Sequence, residues 1–184
     1  QFGIRPDPTC CLFAWCSTAW DSEMETAIGG LLRRLAERGP ASEHLAPEMT
    51  RDVLKELYHQ LAPRAVRHDL GEYYTPDWLA EHLVLQTLAT PDVGNPAARV
   101  FDPACGSGTF LVTLIKHVRQ RALAEGLDPS ATLDAILHNI VGCDLNPLAV
   151  VAARTNYLLA LGDLLDARRG EIEIPVLGAD TLAE

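Results

Sequence analysis

Apolar positions recur at helical spacing through the first half of the chain, then give way to short apolar runs that alternate with helical stretches. Ser22 with Glu25 fits a capping box, and Met24, Ile28, Leu31, Leu32 and Leu35 share one face before Gly39 and Pro40 end the helix. Thr50 heads a second helix with Val53, Leu54, Leu57, Tyr58 and Leu61 on its buried side. A third follows Thr75 and Pro76, with Leu79, Leu83, Val84 and Leu88 turned inward. Threonine is a good N-cap, and the fixed φ of proline suits the first helical position. No convincing strand falls between residues 21 and about 90.

From Arg99 the period changes. Residues 99–102, Arg-Val-Phe-Asp, form a short strand ending in Asp102, followed by a glycine loop. The next helix carries Phe110, Leu111, Leu114, Ile115, Val118 and Ala122 on one side and is stopped by Gly126. A short helix capped by Ser130 leads into a second strand, residues 140–144, and Asn146 with Pro147 opens a helix through Leu148, Val151, Ala152, Thr155 and Leu159. A third strand is expected over residues 172–177, with Pro175 awkward at its centre. Alternating strands and helices imply an α/β fold, a parallel doubly wound sheet with its ligand crevice at the C-terminal ends of the strands. The organisation read from this pattern is a mainly helical region over residues 1–90 and the sheet over residues 91–184. No repeat or low-complexity tract interrupts it.

Composition narrows the function. The chain has 184 residues, one domain's worth, with 48% hydrophobic and 22% charged positions, as in ordinary globular proteins. Fifteen basic residues against 25 acidic ones give a formal charge of −10. Such a surface repels phosphate, so non-specific nucleic-acid binding would need a local basic patch or a further domain. Arg64, Arg67 and His68 form a short basic cluster that reads as a solvated face. No apolar run is seen to reach the roughly 18 residues that span a bilayer, and no membrane partner is expected. The stretch from Cys10 to Trp20 lacks the layout of a secretory signal. Five unevenly spaced cysteines do not make a secreted disulfide framework, and Cys10, Cys11 and Cys16 lack the partners of a zinc site, so no metal is expected. The chain reads as a cytoplasmic piece of a longer protein, opening on Gln1 rather than Met.

The candidate chemistry lies at the strand ends, where Asp102, Asp144 and Asp180 would converge on one crevice. Asp102, Pro103, Ala104, Cys105, Gly106, Ser107 and Gly108 link the first strand to its helix. Glycines allow close backbone approach, and a helix N-terminus offers N–H groups, although the same residues would also make a plain turn. The loop has no P-loop lysine and does not meet GxGxxG. A leading carboxylate disfavours pyrophosphate and favours a cation. S-adenosylmethionine meets these constraints: its sulfonium and ammonium are cationic, its carboxylate could rest on loop amides, and it carries no phosphate. Asp144 could accept from two ribose hydroxyls or cap the next helix, a task Asn146 already performs; Asp180 could accept from the adenine amino group. Cys105 and Cys143 read as packing residues.

These residues carry a resemblance. Residues 100–111, Val-Phe-Asp-Pro-Ala-Cys-Gly-Ser-Gly-Thr-Phe-Leu, resemble the cofactor loop of the N6-adenine DNA methyltransferases of bacterial restriction–modification systems. Residues 71–76, Gly-Glu-Tyr-Tyr-Thr-Pro, resemble the segment before it in type I modification subunits and fused type IIG enzymes. Residues 141–147 look like their ribose-binding acid motif, and residues 177–182 are similar to their adenine-contacting motif. The likeness covers residues 52–184. It implies a partial Rossmann-like methyltransferase sheet binding S-adenosyl-L-methionine. Tyr74, Thr75 and Pro76 would close over the methionine end, Asp102 and residues 103–108 would hold the amino and carboxylate groups, Asp144 with Leu145 would flank the ribose, and Asp180 with Thr181 the adenine.

The same likeness marks what the chain lacks. The family holds its target adenine with an Asn/Asp-Pro-Pro-Tyr/Phe segment, and the Asn-Pro pairs here, Asn95 with Pro96 and Asn146 with Pro147, are followed by Ala97 and Leu148. No catalytic residue is therefore assigned; the chain stops at Glu184 before that motif is expected and should hold cofactor without catalysing. DNA would be reached through regions outside the chain, either a specificity subunit or a fused target-recognition domain. The alternatives are a methyltransferase acting on RNA or on protein glutamine, which shares the absent motif, and a non-catalytic nucleoside-binding or scaffolding module. A dinucleotide oxidoreductase is disfavoured by the loop chemistry.

Overall fold

The computed structural model describes residue 26, residues 75–89 and residues 98–182. Apart from Thr26, which is helical, the first two expected helices lie outside the described residues, as do Tyr74, the basic cluster at 64–68 and the first three cysteines. The described chain runs α1 (Asp77–Leu88), β1 (Val100–Asp102), α2 (Thr109–Glu125), α3 (Pro129–Asn139), β2 (Ile140–Asp144), α4 (Pro147–Leu161), a 3-10 helix (Gly162–Ala167) and β3 (Val176–Gly178). Its three strands form a parallel sheet in the order β1-β2-β3, so α2 with α3 makes one crossover and α4 the other.

Local chemistry explains most of the boundaries. Gly126 ends α2 in the left-handed region at φ 65°, its amide returning to the last turn, as the stop signal predicts. Asn146 caps α4 by accepting from the Leu148 amide at 3.0 Å. Several expectations need correction. Asp128, not Ser130, caps α3, accepting from the Ala131 amide at 2.9 Å; Pro129 occupies the first helical position, which puts the cap two residues earlier, and Ser130 is buried. The third strand begins at Val176 rather than Ile172, because Pro175 has no N–H and contributes only its carbonyl, which accepts from the Gly142 amide at 2.9 Å. The helix after Thr75 begins at Asp77, with Pro76 itself in the capping position; Ala80 and Val84 are buried, while Leu83, expected inside, is exposed.

The core sits where α2, α3 and α4 meet the sheet, around Leu111, Ile115, Leu133, Ile136, Ala153, Tyr157, Leu161 and Val176. Tyr157 is fully buried, yet its hydroxyl is satisfied: it is shared between the carbonyls of Ile136 at 3.1 Å and Ile140 at 3.0 Å, which joins the end of α3 to the start of β2. Burial pushes that phenol well above the ordinary tyrosine range. By length and composition the run Pro147–Ala167 is apolar enough to cross a membrane, contrary to the expectation that no run reaches that length. In the fold it is the second crossover helix with its 3-10 extension. Ala149, Val150, Ala153, Asn156, Tyr157, Ala160 and Leu161 are buried in the core.

Candidate functional site

Register determines how the three acids sit. Asp102 pairs with Gly142, and Asp144 pairs with Gly178, with Asp180 two residues farther on. Each acid therefore stands two residues beyond the previous one along the common strand direction, a step of roughly 6.6 Å between Asp102 and Asp144. The crevice carries a staircase of carboxylates across one end of the sheet.

Asp144 is the hub. Its Oδ2 accepts from the Gly106 amide at 2.8 Å and its Oδ1 from the Asn146 amide at 2.9 Å, so one side chain ties the glycine loop to the start of α4. A carboxylate has about four lone-pair directions, so both oxygens keep capacity for an incoming donor. Around it the loop is bonded to itself and to the sheet. The Ala104 amide donates to Asp102 Oδ1 at 3.2 Å, the Cys105 amide to the Cys143 carbonyl at 2.8 Å, and the Gly108 amide to the Cys105 carbonyl at 2.8 Å. With the Gly106 bond included, these four amides are engaged within the protein. A ligand carboxylate resting on the Gly106 amide would have to displace Asp144. The positive φ values of Gly106 (55°) and Gly108 (88°) give the loop its shape, and a Cβ at Gly108 would lie 3.3 Å from Ala153 of α4.

The remaining strand ends close in from the other side. The Ala179 amide donates to the Asp144 carbonyl at 3.1 Å, and Cys143 Sγ donates to the Ala179 carbonyl at 3.3 Å. Thr181 Oγ1 donates to the Pro103 carbonyl at 3.3 Å, joining the loop after β3 to the loop after β1 across the end of β2. The structure thus brings Asp102, Pro103, Ala104, Gly106, Asp144, Asp180 and Thr181 together, with Leu145 70% exposed beside them. Asp180 is exposed and turns one oxygen back to the Leu182 amide at 2.9 Å. Cys105, Ser107 and Gly108 are buried, so they shape the loop from beneath. Thr75 is half-buried and Pro76 exposed at the head of α1, which packs along α2 and is joined to it by Glu81 and His117 at 2.8 Å. Among the described residues no group of three or more His, Cys, Asp or Glu could hold a metal. A cavity of about 480 Å³ lies away from the crevice, between the second half of α2, the start of α3 and the 3-10 helix.

Three residues that shape the site had no part in the sequence reading. Gly142 sits mid-strand, where an isolated glycine signals close approach; a Cβ there would fall 2.6 Å from Leu111 Cδ1 and 3.1 Å from Cys105 Sγ. Asn156 and Arg154 are polar positions on an otherwise apolar helix. Asn156, fully buried, donates from Nδ2 to the Ser107 carbonyl at 2.9 Å. Arg154 donates from Nε and Nη2 to the Val176 carbonyl at 2.8 and 2.6 Å.

The electrostatics favour a cation. Burial pushes the Asp102 carboxyl above the ordinary carboxylate range, the Ala104 amide partly offsets this, and the Asp144 charge adds to it. The Cys105 thiol is pushed up to about 12 by burial and by Asp102, Asp144 and Cys143, which leaves it inert as a nucleophile at neutral pH. An acid with a raised folded-state pKa holds its proton more firmly in the folded chain, so stability falls as pH rises through the interval between the unfolded and folded values. Asp102→Asn is therefore expected to stabilise the ligand-free chain by roughly 0.5 kcal/mol at neutral pH, a small gain because the group is partly solvated. The gain should vanish below about pH 4, where the carboxyl is protonated in both states. Urea unfolding at pH 7 and pH 3 checks it, and a variant less stable than wild type at pH 7 would contradict the charge argument.

Comparison with known proteins identifies the family. Residues 49–177, more than two thirds of the chain, match the family model described as N-6 DNA Methylase. The chain is 37% identical, over 189 aligned positions, to the putative type II restriction enzyme and methyltransferase RM.MjaORFECS2P of Methanocaldococcus jannaschii, covering 74% of this chain and 16% of that protein. It is 30% identical over 111 residues to the adenine-specific methyltransferase PglX of Streptomyces coelicolor, covering 58% of this chain and 9% of that protein. The chain thus spans about a sixth or less of the length of these curated relatives. With the glycine loop, the strand-end acids and the parallel sheet in the expected order, the chain belongs to the N-6 DNA methylase family.

Proposed function

We propose that this chain forms the S-adenosyl-L-methionine-binding portion of a DNA methyltransferase acting on N6 of adenine, within a restriction–modification or related phage-defence system in the cytoplasm. The observation that carries the reading is Asp144, held by the Gly106 and Asn146 amides where the glycine loop meets β2. That bonding fixes a two-oxygen acceptor of the kind a ribose diol needs. Asp102 stands on one side, where a ligand cation would favour the charged form that burial and, less, the Asp144 charge disfavour, and Asp180 on the other, an acceptor for an adenine amino group. Tyr74, Thr75 and Pro76 would cover the methionine end, and exposed Leu145 would pack beside the ribose. When bound, S-adenosylmethionine supplies an electrophilic methyl group on its sulfonium. The residues of this chain hold and orient it, with no Asn/Asp-Pro-Pro-Tyr/Phe segment of their own to grip the acceptor base. That base would be flipped out of DNA and presented by parts of the protein beyond this chain, with a specificity subunit or target-recognition domain choosing the site. The name of the Streptomyces coelicolor relative, an adenine-specific methyltransferase, supports adenine as the acceptor.

Calorimetric titration with S-adenosylmethionine, S-adenosylhomocysteine and NADH tests the reading. The first two are expected to bind and NADH to fail. Asp102→Asn should weaken S-adenosylmethionine about 10-fold or more by removing a charged partner. Binding of NADH would replace the methyltransferase reading with a dinucleotide one. Silence from all three would leave a module without a cofactor.

A further inference from the structure

The glycine loop and β3 lie on opposite sides of β2, and no strand bond runs from one to the other. Both are held by α4. Ala153 packs beneath Gly108 closely enough that a Cβ there would be 3.3 Å away. Asn156, from inside the core, bonds the Ser107 carbonyl. Arg154 reaches the other way, to the Val176 carbonyl. Because Val176 pairs with Gly142, whose amide takes the Pro175 carbonyl, the N–H and C=O of Val176 itself point away from β2, toward the outer edge of the sheet. Its N–H returns to the Ile174 carbonyl at 2.8 Å, and its carbonyl takes two donors of one guanidinium. This strand has only three residues, and Asp180 follows two residues after it. A charge-assisted clamp on so short an edge strand restricts where its outgoing loop can lie.

Resting on the cofactor reading above, we propose that Arg154 and Asn156 are paired positioning residues, Arg154 setting the β3 wall that presents Asp180 and Asn156 setting the glycine loop beside Asp102. Neither touches the ligand. Together they transmit the placement of α4, which starts at the Asp144–Asn146 corner, to both ends of an elongated site.

The two roles separate by ligand half. Arg154→Gln, which keeps a donor on a shorter arm, is expected to weaken adenosine and S-adenosylhomocysteine alike, each about 10-fold, because both use the nucleoside side. Asn156→Ser is expected to weaken S-adenosylhomocysteine about 10-fold while adenosine stays within about 2-fold. Arg154→Lys, still able to donate to the Val176 carbonyl, should recover most of the lost affinity. Amide hydrogen exchange on the ligand-free chain supplies an independent readout. Arg154→Gln should speed exchange over residues 176–182 and spare 104–108, and Asn156→Ser should do the reverse. Equal changes for both ligands and both segments in both variants, or no change in either, would overturn the proposal. If the wild-type chain bound neither ligand, the cofactor reading would fall, and the exchange pattern would still decide which wall each side chain holds.

Discussion

Asp144→Ala is expected to lower stability by about 2–4 kcal/mol and to weaken S-adenosylmethionine by 100-fold or more. The two losses share a cause. The carboxylate accepts from the Gly106 and Asn146 amides, and alanine leaves two half-buried donors without it, one in the loop and one at the head of α4. Hydrogen bonds to a charged acceptor contribute roughly 1.5–3 kcal/mol each and are not additive when they share a carboxylate. Asp144→Asn separates the effects: its amide keeps one acceptor oxygen but turns an NH2 toward the other backbone N–H, so binding should suffer as in alanine while stability falls between the two. Asp180→Ala is the contrast, since that side chain is exposed and, among the described residues, bonds only the nearby Leu182 amide. It should cost less than about 1 kcal/mol of stability. Urea unfolding and titration of the three variants measure all of this. An alanine variant as stable as wild type would mean that Asp144 does not hold the loop.

Gly142→Val should be the most damaging single substitution for folding. The first added carbon would lie 2.6 Å from Leu111 Cδ1, 3.1 Å from Cys105 Sγ and 3.3 Å from Cys105 Cβ. Leu111 is fully buried, so its methyl can yield only by disturbing the core around it, and Cys105 is bonded through its amide to Cys143. Overpacking of this kind costs about 1–3 kcal/mol for one carbon, and the branched side chain should reach about 3 kcal/mol or more. Gly142→Ala, at the lower end of that range, offers the sharper diagnosis in combination with Leu111→Ala. The second change opens space where the first needs it, so the double variant should be more stable than the sum of the singles by about 1 kcal/mol. Strict additivity, or a valine variant that unfolds with wild type, would show that the strand has room the geometry denies.

What could be read along the chain was whatever local chemistry dictates. The bounds of β2, the stop at Gly126 and the cap at Asn146 each follow from residues within one or two positions of the boundary. So does the placement of Asp102, Asp144 and Asp180 at strand ends, once the alternation of elements implies a parallel sheet. The misread boundaries were contests between nearby residues, two good caps in Asp128 and Ser130, and the strand-breaking Pro175 against the β-branched residues around it. The working connections of the site were invisible for a different reason. Gly106 and Asp144 are 38 positions apart, Ser107 and Asn156 49, and the fit of Leu111 over Gly142 depends on how α2 settles on the sheet. Periodicity shows which face of a helix is buried, but not which carbonyl a buried asparagine finds.

The staircase of acids also bears on competition inside a cell. ATP and its relatives present the same adenine and ribose that Asp180 and Asp144 would take, and they are abundant wherever DNA is modified. Once a nucleoside is seated by those two acids, whatever hangs from its 5′ carbon is carried toward Asp102, one step lower on the sheet and already crowded by the charge of Asp144. A phosphate chain there would meet carboxylates with no lysine in the loop to neutralise it, whereas a cationic tail would be drawn in. On the proposed seating, rejection of nucleotides would need no separate filter, since the group that would welcome one tail would turn the other away.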